Sequence, residues 1–160
     1  SIEAALTGPL VLSTLHTNDA PSGIPRLIEM GIESFLVASA LDAVVAQRLA
    51  RRLCQECMEM RQPDPQVLAE VGFELPHADA KIGTAKGCPA CSNTGYRGRV
   101  ALHEVMQVSE GIERLAVARA PGIEIRNLAM AEGMVPLRDD GWQKVLDGVT
   151  SLEEVLRVVA

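Results

Sequence analysis

Four cysteines arranged as two matched pairs constrain this chain more than any other feature of its sequence. They occur in Cys54-Gln-Glu-Cys57 and Cys88-Pro-Ala-Cys91, with residues 58–87 between the pairs. A C-x-x-C pair places two sulfurs on one tight turn, and two such pairs complete the tetrahedral shell of a structural zinc ion. The alternative, two redox pairs or two disulfides, is disfavoured because a C-x-x-C disulfide seldom serves as a structural staple and nothing suggests export. The predicted metal ligands are Cys54, Cys57, Cys88 and Cys91.

The composition bounds both the core and the partners. Hydrophobic residues make up 48% of the 160 residues and aromatic residues only 2%, so the core must consist of aliphatic side chains and methionine. The net charge of −6 disfavours a zinc ribbon that binds nucleic acid, because contacts with phosphates need a basic surface. That class and a structural adaptor remain the alternative functions.

The start of the chain indicates a fragment of a larger protein. It opens Ser1-Ile-Glu-Ala-Ala-Leu6, without an initiator methionine or a signal-like apolar stretch. The sequence contains no apolar run of the roughly 18 residues that a membrane-spanning helix needs, so no transmembrane segment is predicted. We expect a part of a larger cytoplasmic protein.

A short apolar run, Leu10–Leu15, precedes a polar tetrad, His16–Asp19, and a predicted helix from Gly23 to Met30. The run lacks alternation and predicts a strand of a parallel sheet that is buried on both faces. In such sheets ligands bind at the carboxyl ends of strands, beside the following helix. The tetrad is therefore a candidate phosphate site, and an equal alternative is that Asn18 and Asp19 cap the helix. The candidate donors are Thr14, His16, Thr17 and Asn18.

Residues Glu33–Leu53 carry apolar side chains at spacings near 3.6, which predict one long, largely buried helix. This helix would end in a basic turn that contains Arg48, Arg51 and Arg52. Cations suit a helix C-terminus, and that explanation is preferred for Arg51 and Arg52. For Arg48 an equal alternative is that it faces a phosphate or a neighbouring subunit.

The pattern of residues 100–159 predicts a strand followed by four short helices. Val100–Val108 is the predicted strand, and His103 and Glu104 are interpreted as its polar edge in preference to an acid–base pair. The predicted helices cover residues 109–119, 123–132, 137–147 and 152–159. Thr150 and Glu153 are expected to form a capping box for the last helix. Between the cysteine pairs, His77 is predicted to lie in an exposed loop.

Several motifs in a fixed order point to a family. They include Leu10-Val-Leu-Ser-Thr-Leu-His-Thr-Asn-Asp-Ala20, Arg26-Leu-Ile-Glu-Met-Gly-Ile32 and Ala46-Gln-Arg-Leu-Ala-Arg-Arg-Leu-Cys54. The second cysteine pair with Gly95-Tyr-Arg-Gly-Arg99, and Gly133-Met-Val-Pro-Leu137 before Asp140-Gly-Trp142, complete the set. From end to end the chain resembles the secretion ATPases that drive type II secretion and type IV pilus extension.

The resemblance implies an α/β fold in three parts. Residues 1–53 would be the C-terminal part of a RecA-like P-loop NTPase core, 54–108 a tetracysteine zinc module, and 109–160 an all-helical C-terminal domain. It also implies a homohexameric ring that is cytoplasmic and peripheral to the inner membrane. Such a ring couples hydrolysis of ATP, with Mg²⁺, to movement of an inner-membrane platform protein.

The resemblance also assigns roles to the polar tetrad. The run Ser13–Asn18 matches the family's His box, in which the histidine lies near the terminal phosphate, so His16 is the predicted sensor of the γ-phosphate. The predicted nucleotide contacts are Thr14, His16, Thr17, Asn18 and Arg48.

Two differences from the family bear on activity. The chain has Thr7-Gly8-Pro9-Leu10 where the family usually has histidine in place of Pro9, a change that is not expected to inactivate. The phosphate loop, the acidic box and the Walker B segment normally lie upstream of Ser1. This chain alone is therefore expected to bind ATP weakly or not at all and to hydrolyse none.

Overall fold

The computed structural model describes residues 2–159, which form two compact units. Unit 1 contains the residues up to Gln47 together with His103–Pro136, and unit 2 contains Arg48–Leu102 together with the residues from Leu137 onward. In chain order the elements are α1 (Ile2–Ala5), α2 (Gly23–Glu29), α3 (Ser34–Ala40), β1 (Ala43–Leu53), β2 (Glu59–Arg61), α4 (Pro65–Val71), β3 (Ile82–Thr84), β4 (Tyr96–Gln107), α5 (Glu110–Val117), α6 (Gly122–Ala131), α7 (Leu137–Leu146) and α8 (Leu152–Val159).

Strands β1 and β4 pair with each other in a two-stranded sheet. The N–H of Val108, just after β4, donates to the carbonyl of Asp42, just before β1, at 2.9 Å. At the other end the N–H of Cys54 donates to the carbonyl of Gly95, also at 2.9 Å. The end of each strand therefore lies beside the start of the other, so the two strands run antiparallel.

Unit 1 is a helical cluster in which α5 packs on α3 and α6. Helix α5 begins where Ser109 accepts the N–H of Ile112 at 3.2 Å, a side-chain cap of the first turn. Ile112 and Ala116, one turn apart, are both buried, so this helix turns a continuous apolar stripe to the core. The buried side chains of the unit include Ala20, Ile24, Val37, Ala38, Ile112, Ala116, Ile125 and Ala129.

Unit 2 packs α4, α7 and α8 with the small antiparallel sheet of β2 and β3. Its core contains Leu68, Phe73, Ile82, Val145, Leu152 and Val155. The rings of Phe73 and Trp142 are stacked, with centroids 4.4 Å apart. Gly141 lets α7 approach α8 closely, because a Cβ at this position would lie 2.7 Å from Val155 Cγ1.

Two sequence predictions about the first stretch are wrong. The predicted long helix over Glu33–Leu53 is a short helix, α3, followed by strand β1. The predicted strand over Leu10–Leu15 is not formed; Leu10 and Leu12 are 80% and 88% exposed. A strand is stable only beside a hydrogen-bonding neighbour, and no other part of residues 2–159 pairs with this segment.

The predictions for the second half are largely confirmed. The strand at 100–108 begins four residues earlier than predicted, and the helices α5, α6, α7 and α8 all occur close to the predicted positions, as does α2 in the first half. The predicted capping box at Thr150 and Glu153 is wrong. Ser151 Oγ accepts the N–H of Glu154 at 3.4 Å, and the Thr150 hydroxyl donates instead to the carbonyl of Arg51 at 2.8 Å.

The α/β class is confirmed, while the division at 53/54 and 108/109 stays a prediction. Of the four C-terminal helices, α5 and α6 belong to unit 1 and α7 and α8 to unit 2. Among the helices within residues 2–159, none has the length and apolar character needed to cross a membrane.

Candidate metal centre and candidate nucleotide contacts

The four cysteines lie on two tight turns in unit 2. Cys54 follows β1 directly, and the N–H groups of Cys57 and Met58 both donate to its carbonyl, which closes the first turn. The second turn is a short 3₁₀ segment, Pro89–Cys91, that precedes β4. Because β1 and β4 are paired, the end of one strand and the start of the other bring the two turns together.

The sulfur atoms form a compact cluster that fits a tetrahedral ion. All four Sγ atoms lie within 4.8 Å of one another, and the Cys54–Cys88, Cys57–Cys91 and Cys88–Cys91 pairs are 3.9, 3.8 and 3.8 Å apart. Four Zn–S bonds of about 2.3 Å in a tetrahedron require S–S edges of about 3.8 Å. All four cysteines are free, so the disulfide alternative is not realised in this arrangement.

Backbone N–H groups prepare one sulfur for a negative charge. Burial raises the pKa of the Cys91 thiol, but the N–H groups of Cys88 and Gly95, each 3.2 Å from its sulfur, outweigh burial and lower that pKa to about 6. For Cys57 burial dominates and raises the pKa. A divalent cation would favour the thiolate at every position.

Gly95 is needed for this arrangement. Its φ of +78° lies in the left-handed region, and a Cβ there would come within 2.6 Å of the Ala85 Cβ. The glycine thereby allows its own N–H to reach the Cys91 sulfur.

The structure brings the four predicted ligands together, and the identity of the ion stays a prediction. His77 lies outside the cluster, as predicted: its side chain is exposed, and its Nε2 is 3.9 Å from Asp79 Oδ1.

The polar tetrad His16–Asp19 lines a surface depression of unit 1. The depression has a volume of about 460 Å³. It is lined by His16, Thr17, Asn18, Asp19, Ser22, Pro25, Arg26, Glu29 and Gly122. Three predicted contacts, His16, Thr17 and Asn18, therefore share one surface, while Thr14 and Arg48 are not among the lining residues. Arg48 lies on β1, in unit 2.

Two carboxylates hold the chain where it leaves the tetrad. Asp19 Oδ1 accepts the N–H of Ser22 at 2.8 Å, and its other oxygen is 2.5 Å from Arg126 Nη2 on α6. The first contact forms a turn just before α2, whose N-cap is Ser22, so Asp19 does not have the capping role that the sequence suggested as an alternative. One residue later, Glu104 Oε1 accepts the N–H of Ala20 at 2.7 Å.

Glu104 is the residue that sequence reasoning missed. Only 1% of it is exposed, so the interpretation of Glu104 as a polar strand edge is wrong. For His103 that interpretation is confirmed, since its exposed ring contacts Gln47 Nε2 at 3.0 Å. The alternation of the strand carried the signal: Glu104 lies between Leu102 and Met106, which share one face and are both fully buried.

The comparisons with known proteins identify the family. The model of the family described as "Type II/IV secretion system protein" matches residues 1–157. This chain therefore belongs to the type II/IV secretion system protein family, and the resemblance inferred from its motifs is confirmed.

Curated relatives match almost the whole chain. The type IV pilus assembly ATPase PilB of Thermus thermophilus is 47% identical over 155 residues, which cover 96% of this chain and 17% of that protein. The type II secretion system protein E of Aeromonas hydrophila is 45% identical over 158 residues, covering 99% of this chain and 31% of that protein. The chain thus spans less than a third of either relative.

A solved structure supports the fold. The X-ray structure of the Legionella pneumophila ATPase DotB aligns with a TM-score of 0.59 at 17% identity, covering 99% of this chain and 34% of that one. At this identity the likeness concerns the α/β fold alone.

Proposed function

We propose that this chain is the C-terminal part of a hexameric ATPase that powers type IV pilus assembly or type II protein secretion. The observation that carries the proposal is the family match over residues 1–157, with relatives named as pilus assembly ATPases at 47% identity. In this proposal residues 1–53 contribute the last part of a RecA-like core, and ATP hydrolysis moves an inner-membrane platform protein. The ring is a homohexamer at the cytoplasmic face of that membrane.

The tetrad His16–Asp19 is the proposed contact with the nucleotide. A volume of about 460 Å³ is in the range of small-ligand sites, and the imidazole, hydroxyl and amide of His16, Thr17 and Asn18 all border it. The imidazole of His16 is suited to hydrogen-bond a γ-phosphate and to report its loss to α2. Thr14 and Arg48 are proposed to complete the contacts with Mg²⁺–ATP in the assembled protein.

The cysteine cluster is proposed to hold a structural zinc ion. Four sulfur ligands fill a tetrahedral shell, so no position remains for a reacting water or substrate. Its contribution is to fix the turns that follow β1 and precede β4. The nucleic-acid alternative is disfavoured by the net charge of −6.

The proposal is tested by comparing ATP turnover in two proteins. One protein is this chain alone. The other is this chain joined to the additional segments that occur in the longer relatives. No G-x-x-x-x-G-K-[ST] phosphate loop occurs in the 160 residues, so we expect Mg²⁺-dependent turnover only in the longer protein. Turnover by the chain alone, or an inactive longer protein that is folded and hexameric, would contradict the proposal.

A further inference from the structure

Unit 2 contains a second surface depression, which the proposed function does not use. Its volume is about 560 Å³, and its lining consists of Leu49, Ala50, Arg51, Arg99 and Arg157. Three of five lining residues are thus arginines, in a chain whose net charge is −6. We call it the three-arginine depression.

A buried carboxylate holds two of these arginines side by side. Glu154 is 1% exposed and accepts bonds from Arg157 Nε and Nη2 at 2.9 and 2.8 Å. It also accepts the backbone N–H of Arg51 at 2.9 Å and Arg51 Nη2 at 2.5 Å. The Arg51 guanidinium lies over the Tyr96 ring, 4.2 Å from its centroid. Both guanidinium groups are therefore fixed in place before any ligand arrives.

These contacts leave several N–H donors of Arg51 and Arg157 available to a ligand. The side chains of Arg51 and Arg157 are 50% and 56% exposed, and a guanidinium carries five N–H donors, of which Glu154 takes only one or two from each. The side chain of Arg99 is exposed, and no hydrogen bond or ion pair joins it to another side chain within residues 2–159. Arg97, two residues earlier on the same strand, differs because it reaches Glu56 at 3.5 Å.

The charges around the depression do not balance. The depression is lined by three arginines, and the carboxylate of Glu154, which contacts two of them, offsets one charge and leaves two positive charges. A phosphate monoester carries a charge of about −1.5 to −2 at neutral pH and offers three acceptor oxygens, which match both the charge and the number of arginines. A carboxylate supplies one negative charge and matches less well. Leu49, on the rim, offers an apolar contact for the organic part of an ester.

We propose that the three-arginine depression is a binding site for the phosphate group of a small anionic ligand. The site lies in unit 2 and is lined by none of the residues assigned to the nucleotide, so it does not depend on the proposed ATPase function. Two sources share this chemistry, a soluble phosphate compound and the headgroup of an anionic lipid.

The first arm of the test uses inorganic phosphate and the full chain. Arginine Nε–H signals are followed by NMR during titration with phosphate, against chloride at matched ionic strength. We expect saturable shifts of Arg51, Arg99 and Arg157 with a dissociation constant of about 1 mM or tighter. Arg99→Gln should weaken binding about tenfold, because it removes a charge-assisted hydrogen bond. The matched control Arg97→Gln, on the same strand, should bind like the wild type.

The second arm uses vesicles of phosphatidylglycerol and of phosphatidylcholine in a sedimentation assay. If the protein sediments with the anionic vesicles, and both added phosphate and Arg99→Gln prevent this, the result supports the site with a lipid headgroup as its ligand. If the protein binds phosphate but not the vesicles, the result supports the site with a soluble phosphate compound as its ligand. The proposal is overturned if phosphate acts no differently from chloride, or if Arg99→Gln and Arg97→Gln bind alike.

Discussion

A single buried carboxylate, Glu104, fixes the backbone that leaves the His16–Asp19 tetrad. Its hydrogen bond to the Ala20 N–H joins residues 84 positions apart in the sequence, within unit 1. Asp19 adds a second attachment through Arg126, so neighbouring residues are held from β4 and from α6. A loop fixed at two successive residues keeps the candidate nucleotide contacts in one orientation, which reduces the entropy lost on binding.

Replacing Glu104 tests this attachment. Glu104→Ala leaves a buried N–H without its acceptor, and we expect it to lower the free energy of unfolding by about 2–3 kcal/mol. Glu104→Gln keeps an acceptor oxygen and should cost less. Urea denaturation measures both, with Gln107→Ala on the exposed face of the same strand as the control. Equal stability of the Glu104→Ala and Gln107→Ala proteins would show that the bond contributes nothing.

The elements show what sequence patterns can and cannot decide. In strand β1 the buried positions include Ala46 and Ala50, which have small side chains. Val45 and Leu49 lie on the outer face, where they are 58% and 50% exposed. Because apolar residues occur on both faces of this strand, their spacing resembles that of one face of a helix. Helix α5 was predictable because its cap, Ser109, and its apolar face agree, and α8 because of its apolar face. The Leu10–Leu15 segment needs a partner strand that local sequence cannot supply.

Helix α8 should respond to acid through Glu154. The side-chain bonds from Arg157, followed by those from Arg51, outweigh burial and lower the pKa of Glu154 to about 2. The unfolded chain takes up this proton near pH 4.3. The stabilisation is therefore complete above about pH 4.3 and is lost as the pH falls towards 2, by on the order of 3 kcal/mol in total.

The measurement is the unfolding free energy from pH 5 down to pH 2.5 for three proteins. Glu154→Gln removes the titrating group, so its stability should fall less with acid than that of the wild type. Glu153→Gln changes the exposed neighbour on the same helix and should follow the wild type. Loss of the proposed zinc ion in acid would affect all three alike, so identical slopes for all three would refute the role of Glu154.

For the whole molecule, the candidate metal ligands were the most predictable site and the candidate nucleotide contacts the least. Four cysteines in two C-x-x-C pairs specify a shared cluster almost by themselves, and the structure brings them within 4.8 Å. His16, Thr17 and Asn18 share a surface, but local sequence could not place Arg48, because the predicted helix at this position is strand β1. The family match, by contrast, spans both units.

The metal can be counted directly. We expect one zinc per chain after extensive dialysis, and four titratable thiols only after a strong chelator has removed the ion. Chelation should also lower the midpoint of thermal unfolding, because the ion binds the folded state preferentially. Cys57→Ser should lose zinc, while His77→Ala should retain it. Substoichiometric zinc together with four free thiols in the untreated protein would refute the zinc centre.

The most direct test of the central claim is the effect of His16→Ala in the longer protein that carries this chain. ATP turnover and pilus assembly or protein secretion are measured together, with His77→Ala as the matched control. We predict that His16→Ala lowers turnover by at least about tenfold and abolishes assembly or secretion, since a positioned group at the phosphates contributes at least that much. The control should match the wild type. Wild-type turnover and output in the His16→Ala protein would contradict the account.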